Sequence, residues 1–99
     1  MIIYNVTVSI DDEVHDEWVS WMKDTHIPDV MNTGFFVENK MCRVISHQEE
    51  GNSYSIQYTC EDMKTLHQYQ AQHAQRLQAE HSAKYEGKFA AFRTLLEII

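Results

Sequence analysis

WVSWMKDTHIPDVMNTG, Trp18 to Gly34, carries two tryptophans one helical turn apart and then a His-Ile-Pro-Asp turn. At about 100° per residue, Val14, Trp18, Trp21, Met22 and Thr25 gather on one stripe, while Asp16, Ser20, Lys23 and Asp24 turn to solvent. Tryptophan is large and costly to expose, so this stripe is a buried face with His26 on its flank. Pro28 disfavours helical geometry at Ile27, so the helix is predicted to stop near His26. Pro28 then has the right φ to open one further turn through Asp29 to Met31, which Gly34 ends.

Upstream, Met1 to Ile10 alternates in period two, a strand with Ile2, Tyr4, Val6, Val8 and Ile10 on one side and Ile3, Asn5, Thr7 and Ser9 on the other. Asp11 or Asp12 is placed to cap the helix that follows, and Glu13, Asp16 and Glu17 suit its positive end. Downstream, Phe35 to Ser46 and Ser53 to Cys60 read as two strands joined around Glu49, Glu50, Gly51 and Asn52, a polar hairpin. Two registers fit: either Cys42 and Val44, or Met41 and Arg43, share a face with Tyr54, Ile56 and Tyr58.

Glu61 to about Lys84 reads as a second helix with Met63, Leu66, Gln70, Ala74, Leu77 and His81 on one stripe. Gly87 lets the chain leave it. Phe89 to Ile99 is a last strand, with Ala90, Phe92, Thr94, Leu96 and Ile98 opposite Phe89, Ala91, Arg93, Leu95 and Glu97. The order βαββαβ, with two one-sided helices, specifies an α+β ferredoxin-like domain over residues 1–99: a four-stranded antiparallel sheet with both helices on one face. The open face is expected to carry Ile3, Asn5, Thr7, Ser55, Gln57, Thr59, Phe89, Arg93 and Leu95. That mixture is too apolar for water, so a second copy is expected to stack on it, as in a dimeric α+β barrel.

The chain has 99 residues, enough for one domain that buries only roughly 60 to 65% of its unfolded surface alone, which also favours a homodimer. Fifteen acidic residues against eight basic ones give a formal charge of −7, and no Lys/Arg cluster interrupts them. Such a field repels phosphate backbones and anionic lipid, so neither a nucleic-acid nor a membrane partner is expected. The N-terminus lacks a basic n-region and soon meets Asp11, Asp12 and Glu13, so a cytoplasmic location is expected. Cys42 and Cys60 lack Cys-x-x-Cys spacing and read as two buried thiols.

Three motifs then point to one family. Trp18-x-x-Trp21-Met22 followed by His26-Ile27-Pro28-Asp29-Val30-Met31, the strand Tyr54-Ser55-Ile56-Gln57-Tyr58-Thr59-Cys60, and the tail Gly87-Lys88-Phe89 to Phe92-Arg93-Thr94-Leu95-Leu96-Glu97 resemble the bacterial family called domain of unknown function 4286. The resemblance spans nearly the whole chain and implies no particular catalytic residue. More remotely, the architecture resembles the dimeric α+β barrel proteins, which include cofactor-free antibiotic-biosynthesis monooxygenases, haem-degrading enzymes, lactone isomerases and sugar mutarotases. That likeness implies a ligand site between helices and sheet, where the tryptophans are expected to point.

His26 is the candidate catalytic acid or base; its structural alternative is a cap on free carbonyls at a helix C-terminus. Trp18, Trp21, Met22 and Tyr58, with Tyr4, would form an aromatic slot for a small-molecule ligand, although a stripe of large apolar residues is also what any helix core needs. Arg93 is a ligand-binding candidate. Its alternative is a pairing with Gln57 or with Glu97 of another copy.

No metal and no cofactor is expected. Along the second helix His67, His73 and His81 cannot share an ion, since the first two face apart and the last two lie about 12 Å apart along the axis. Haem on His73 or His81 is a weaker form of the same idea. Neither cysteine has an activating neighbour, and Glu49 and Glu50 read as solvated. Two readings therefore stand side by side: a homodimeric small-molecule-binding protein, whose enzymatic form would be a cofactor-free monooxygenase-like or isomerase-like one, and a non-enzymatic structural or regulatory interaction module.

Overall fold

A computed structural model describes residues 1–46 and 51–99; the expected hairpin tip at Glu49 and Glu50 lies outside the described residues. The strands β1 (Ile2–Ile10), β2 (Glu38–Arg43), β3 (Asn52–Cys60) and β4 (Phe89–Glu97) form one antiparallel sheet in the order β2-β3-β1-β4. All helices cover one face, giving the ferredoxin-like α+β fold. Tyr4, Val8 and Ile10 of β1 meet Tyr54, Ile56 and Tyr58 of β3 beneath Trp18, Met22, Leu66 and Leu77. Among the described residues no helix is long and apolar enough to cross a membrane.

Asp11 caps the first helix by accepting from the Glu13 amide at 2.8 Å, and a short 3-10 turn (Asp12–Val14) leads into α1 (His15–Trp21). The helix does not stop near His26. It widens into a π-helical turn (Met22–His26) and continues as α2 (Ile27–Met31), with His26 and Ile27 both in right-handed helical geometry. The Ile27 amide reaches back five residues to the Met22 carbonyl, so Pro28 falls just after a widened turn, at the start of α2, where its missing N–H and its ring are accommodated.

The second helix repeats the device. Asp62 accepts from the Thr65 amide at 2.8 Å and opens α3 (Met63–Tyr69), a π-helical turn (Gln70–Ala74) follows, and α4 (Gln75–Lys84) completes it. The extra residue of the π-turn resets the stripe, so the buried set is Leu66, Tyr69, Ala74, Leu77 and His81, whereas the expected Gln70 and Met63 are exposed. Thr25, expected on the first helix's buried stripe, is exposed for the same reason. Gly87 takes a φ of 74° to turn the chain into β4.

Strand pairing settles the registers. Met41 lies opposite Ile56 and Arg43 opposite Tyr54, so these two share the helix-covered face, and Cys42, opposite Ser55, lies on the other. β2 is shorter than expected because Phe35 packs on Tyr69 and Phe36 on Tyr58, so consecutive side chains both turn toward the helix layer, which a strand does not allow. Cys60 is buried but Cys42 is only half-buried, a correction to the expectation of two buried thiols. The sheet itself separates them.

The expected face of β4 is also corrected. Phe89 pairs with Ile10, Arg93 with Val6 and Leu95 with Tyr4, which puts all three toward the helices rather than on the open face. Ala90, Phe92, Thr94 and Leu96 face away instead, and Phe92 is 62% exposed. Both sides of β4 are apolar, so alternation cannot choose between them; the ladder with β1 does. Down the middle of the open face, Ser55 donates to Asn5 at 2.6 Å and Ser9 meets Ser53 at 2.8 Å, so its polar groups are paired within the sheet.

Candidate functional site

A cavity of about 50 Å³ lies between the two helices and the β1/β4 half of the sheet. Tyr4, Val6, Val8, Ile56, Tyr58, Phe89, Ala91 and Arg93 form its floor. Met22, His26 and Val30 close it from the first helix, and Tyr69, Leu77, Gln78, His81 and Ser82 from the second. The structure thus brings together Met22, His26, Tyr58 and Arg93 from the sequence candidates. It leaves the tryptophans out.

Trp18 is completely buried behind the cavity, and its Nε1–H donates to His81 Nε2 at 2.9 Å. Trp21 is half-buried and stacks on His26, with ring centroids 5.1 Å apart and planes 27° off parallel. The indoles are therefore the backing of two imidazoles, and the aromatic slot expected from Trp18 and Trp21 is corrected to a histidine pair that they hold. His26 and His81 meet edge to face with centroids 5.8 Å apart, and Phe89 closes on His81 at 4.5 Å.

Burial sets the charge state of this pair. It lowers the pKa of His26 below the ordinary histidine value, with Asp29 acting weakly in the opposite sense. It lowers that of His81 to about 4, helped by His26 and by the Arg93 guanidinium. Both rings are neutral at pH 7. Since His81 Nε2 accepts from Trp18, the hydrogen-bond geometry assigns its proton to Nδ1. His26 Nδ1 is buried without a hydrogen-bond partner among the described residues. It caps no carbonyl, because the helix continues past it.

The phenols behave oppositely. Burial pushes the Tyr58 and Tyr69 hydroxyls far above the ordinary tyrosine value, so both stay protonated. Tyr4 accepts from Arg93 Nε at 3.0 Å and from Gln78 Nε2 at 3.3 Å, which anchors the guanidinium to the cavity wall. Arg93 is consequently a same-chain partner of Tyr4. The expected pairing with Gln57 fails because Gln57 lies across the sheet.

Of the second helix's three histidines only His81 lines the cavity; His73 packs on Phe35 and contacts Arg76. Among the described residues no group of three or more His, Cys, Asp or Glu is placed to hold a metal ion. Sequence reasoning missed Tyr69, Gln78 and Ser82 as lining residues. A helical wheel that admitted one five-residue step would have found Tyr69; nothing local marks the other two.

Pockets for drug-sized ligands run to about 300–1,000 Å³. A cavity of 50 Å³ takes only a few heavy atoms.

The same fold recurs in solved structures of very low sequence identity. An ethyl tert-butyl ether D (EthD) family protein from Bacillus halodurans superposes with a TM-score of 0.74 at 14% identity, covering 100% of both chains. A dimeric ferredoxin-like protein from an uncultured marine organism gives 0.70 at 7% identity, covering 100% of this chain and 95% of that one. An MhuD mutant with two manganese protoporphyrin IX molecules bound per active site also gives 0.70, at 11% identity over 100% and 95% of the two chains. No curated protein matches the sequence. The model of the family described as domain of unknown function (DUF4286) matches residues 1–99, and the chain belongs to that family.

Proposed function

We propose that residues 1–99 act as one ferredoxin-like domain that binds a small molecule in the helix–sheet cavity and works as a homodimer joined through the open sheet face. On this reading His26 is the catalytic base of a cofactor-free, isomerase-like proton transfer, and Met22, Tyr58 and Arg93 hold the ligand. The carrying observation is that His26 lines the cavity and that its buried Nδ1 has no hydrogen-bond partner among the described residues. An imidazole kept neutral by burial is a proton acceptor at neutral pH, and an unpaired buried polar atom costs stability unless something uses it. The similarity to a dimeric ferredoxin-like protein supports the homodimer, as do exposed Phe92 and Leu96 beside the paired polar ladder. Two free thiols suit a reducing compartment, which supports a cytoplasmic location.

The bound porphyrin of the MhuD mutant does not carry over. A macrocycle does not fit a 50 Å³ cavity, and His81 Nε2 is already taken by Trp18.

A second reading, an interaction module without a ligand, draws on that same small volume and on Trp18 being pure core. Native mass spectrometry of gently purified protein separates the two. A dimer with a discrete extra mass supports the binding reading, an empty dimer favours the interaction module, and a monomer overturns the sheet-to-sheet dimer.

A further inference from the structure

We propose that the cavity is a receptor for short-chain monocarboxylates, gripped head-first by the Arg93 guanidinium with the apolar body lying against Val6, Ala91 and Phe89 beneath His26 and His81. The inference rests on the small-molecule reading of the cavity and names its ligand class.

Of the eight basic residues five make no ion pair among the described residues, and Arg93 is the one of these that lines the cavity. Lys84 pairs with Glu17, Lys88 with Glu13 and Arg76 with Glu80. Arg93 makes no ion pair among the described residues. Its one hydrogen bond runs from Nε to Tyr4, a core residue, and so fixes the guanidinium while leaving both terminal nitrogens for a ligand. Two parallel N–H groups on a planar fork match the two oxygens of a carboxylate.

The rest of the lining narrows the class. Gln78, which shares the Tyr4 hydroxyl with Arg93, adds a neutral amide and Ser82 a hydroxyl, and among the described residues no Asp or Glu lines the cavity, so nothing there would balance an ammonium group. Amines and zwitterionic amino acids are disfavoured on that ground. Both imidazoles are neutral at pH 7, which leaves a single positive charge and disfavours dianions such as phosphate monoesters. The remaining walls are apolar and the volume admits only a few carbons. One carboxylate on a short apolar chain satisfies every constraint.

The test compares butyrate with its uncharged analogue butyramide, with butylamine and with inorganic phosphate, by calorimetry and by amide and imidazole NMR shifts at pH 7. Butyrate is expected to bind saturably, about tenfold or more tighter than butyramide or phosphate, with butylamine silent. Shifts should centre on Gln78, Ser82 and Phe89 to Arg93, and the added anion should raise the pKa of His81. Arg93→Gln should lose about tenfold in butyrate affinity and leave butyramide binding unchanged, and Arg93→Lys should fall between, while the wild-type comparison needs no variant to fold.

Equal binding of butyrate and butyramide in the cavity would overturn the carboxylate assignment and leave the small-molecule reading standing. Phosphate binding as tightly as butyrate would replace it with a general anion site. No binding by any of the four overturns the carboxylate receptor, and the extra mass sought in the purified protein then judges the broader reading independently.

Discussion

Trp18 of the first helix donates its indole N–H to Nε2 of His81 on the second at 2.9 Å, a bond made entirely inside the core. It ties the two helices together behind the cavity and fixes the His81 tautomer. Trp18→Phe removes the donor and strands the acceptor, at an expected cost of about 1–3 kcal/mol beyond the loss of indole packing. His81→Phe strands the donor instead. In urea melts the double variant should be less destabilised than the sum of the singles, because no polar partner is then left behind; strict additivity would mean the bond contributes nothing.

Stability should fall with acid through the histidine range. The folded-state pKa of His81 lies near 4, below the ordinary 6.5, and that of His26 is lowered too. A depressed folded pKa means that the unfolded chain binds the proton first, so this contribution is complete above about pH 6.5 and is lost as pH drops toward 4. The urea midpoint of the wild type should decline across that window. His81→Gln should flatten the decline relative to wild type, and parallel profiles would remove His81 as its source.

Tyr54 joins the sheet edge to the first helix. Its hydroxyl meets His15 Nε2 at 2.5 Å and accepts from Arg43 at 2.8 Å, with the Arg43 guanidinium 5.4 Å from the ring centroid. Tyr54→Phe should cost about 1–3 kcal/mol. Since β2 is held in the sheet by β3 alone, hydrogen exchange at Met41 and Arg43 should accelerate more than at β1. Uniform acceleration would show a global effect only.

The open face supplies a test of assembly. Phe92 and Leu96 are exposed on it, on the strand whose other side lines the cavity. Phe92→Asp is expected to give a monomer by sedimentation with unchanged helix content, since the side chain has no core role in the single chain. A dimer that survives both Phe92→Asp and Leu96→Asp would have to use another surface.

Local pattern was sufficient for the element order. Period-two alternation in β1, the cap at Asp11 or Asp12, the stripe through Trp18 and Met22, and Gly87 each act over a few residues, so βαββαβ and the ferredoxin-like fold could be read before any contact was known. Three matters lay beyond that range. Each helix absorbs one extra residue in a π-turn, which moves Tyr69 into the core in place of Gln70 and carries the first helix past Pro28; a fixed 3.6-residue period cannot register the step. Both faces of β4 carry large apolar residues, and the one that turns to the helices is the one with Arg93 and Glu97, so only its hydrogen bonds to β1 decided that Arg93 enters the cavity and Phe92 does not. Finally, Trp18 and His81 are 63 residues apart in sequence and bonded in space. What a side chain does in this site depends on what the other layer sets against it, and that pairing exists only once the helices have closed on the sheet.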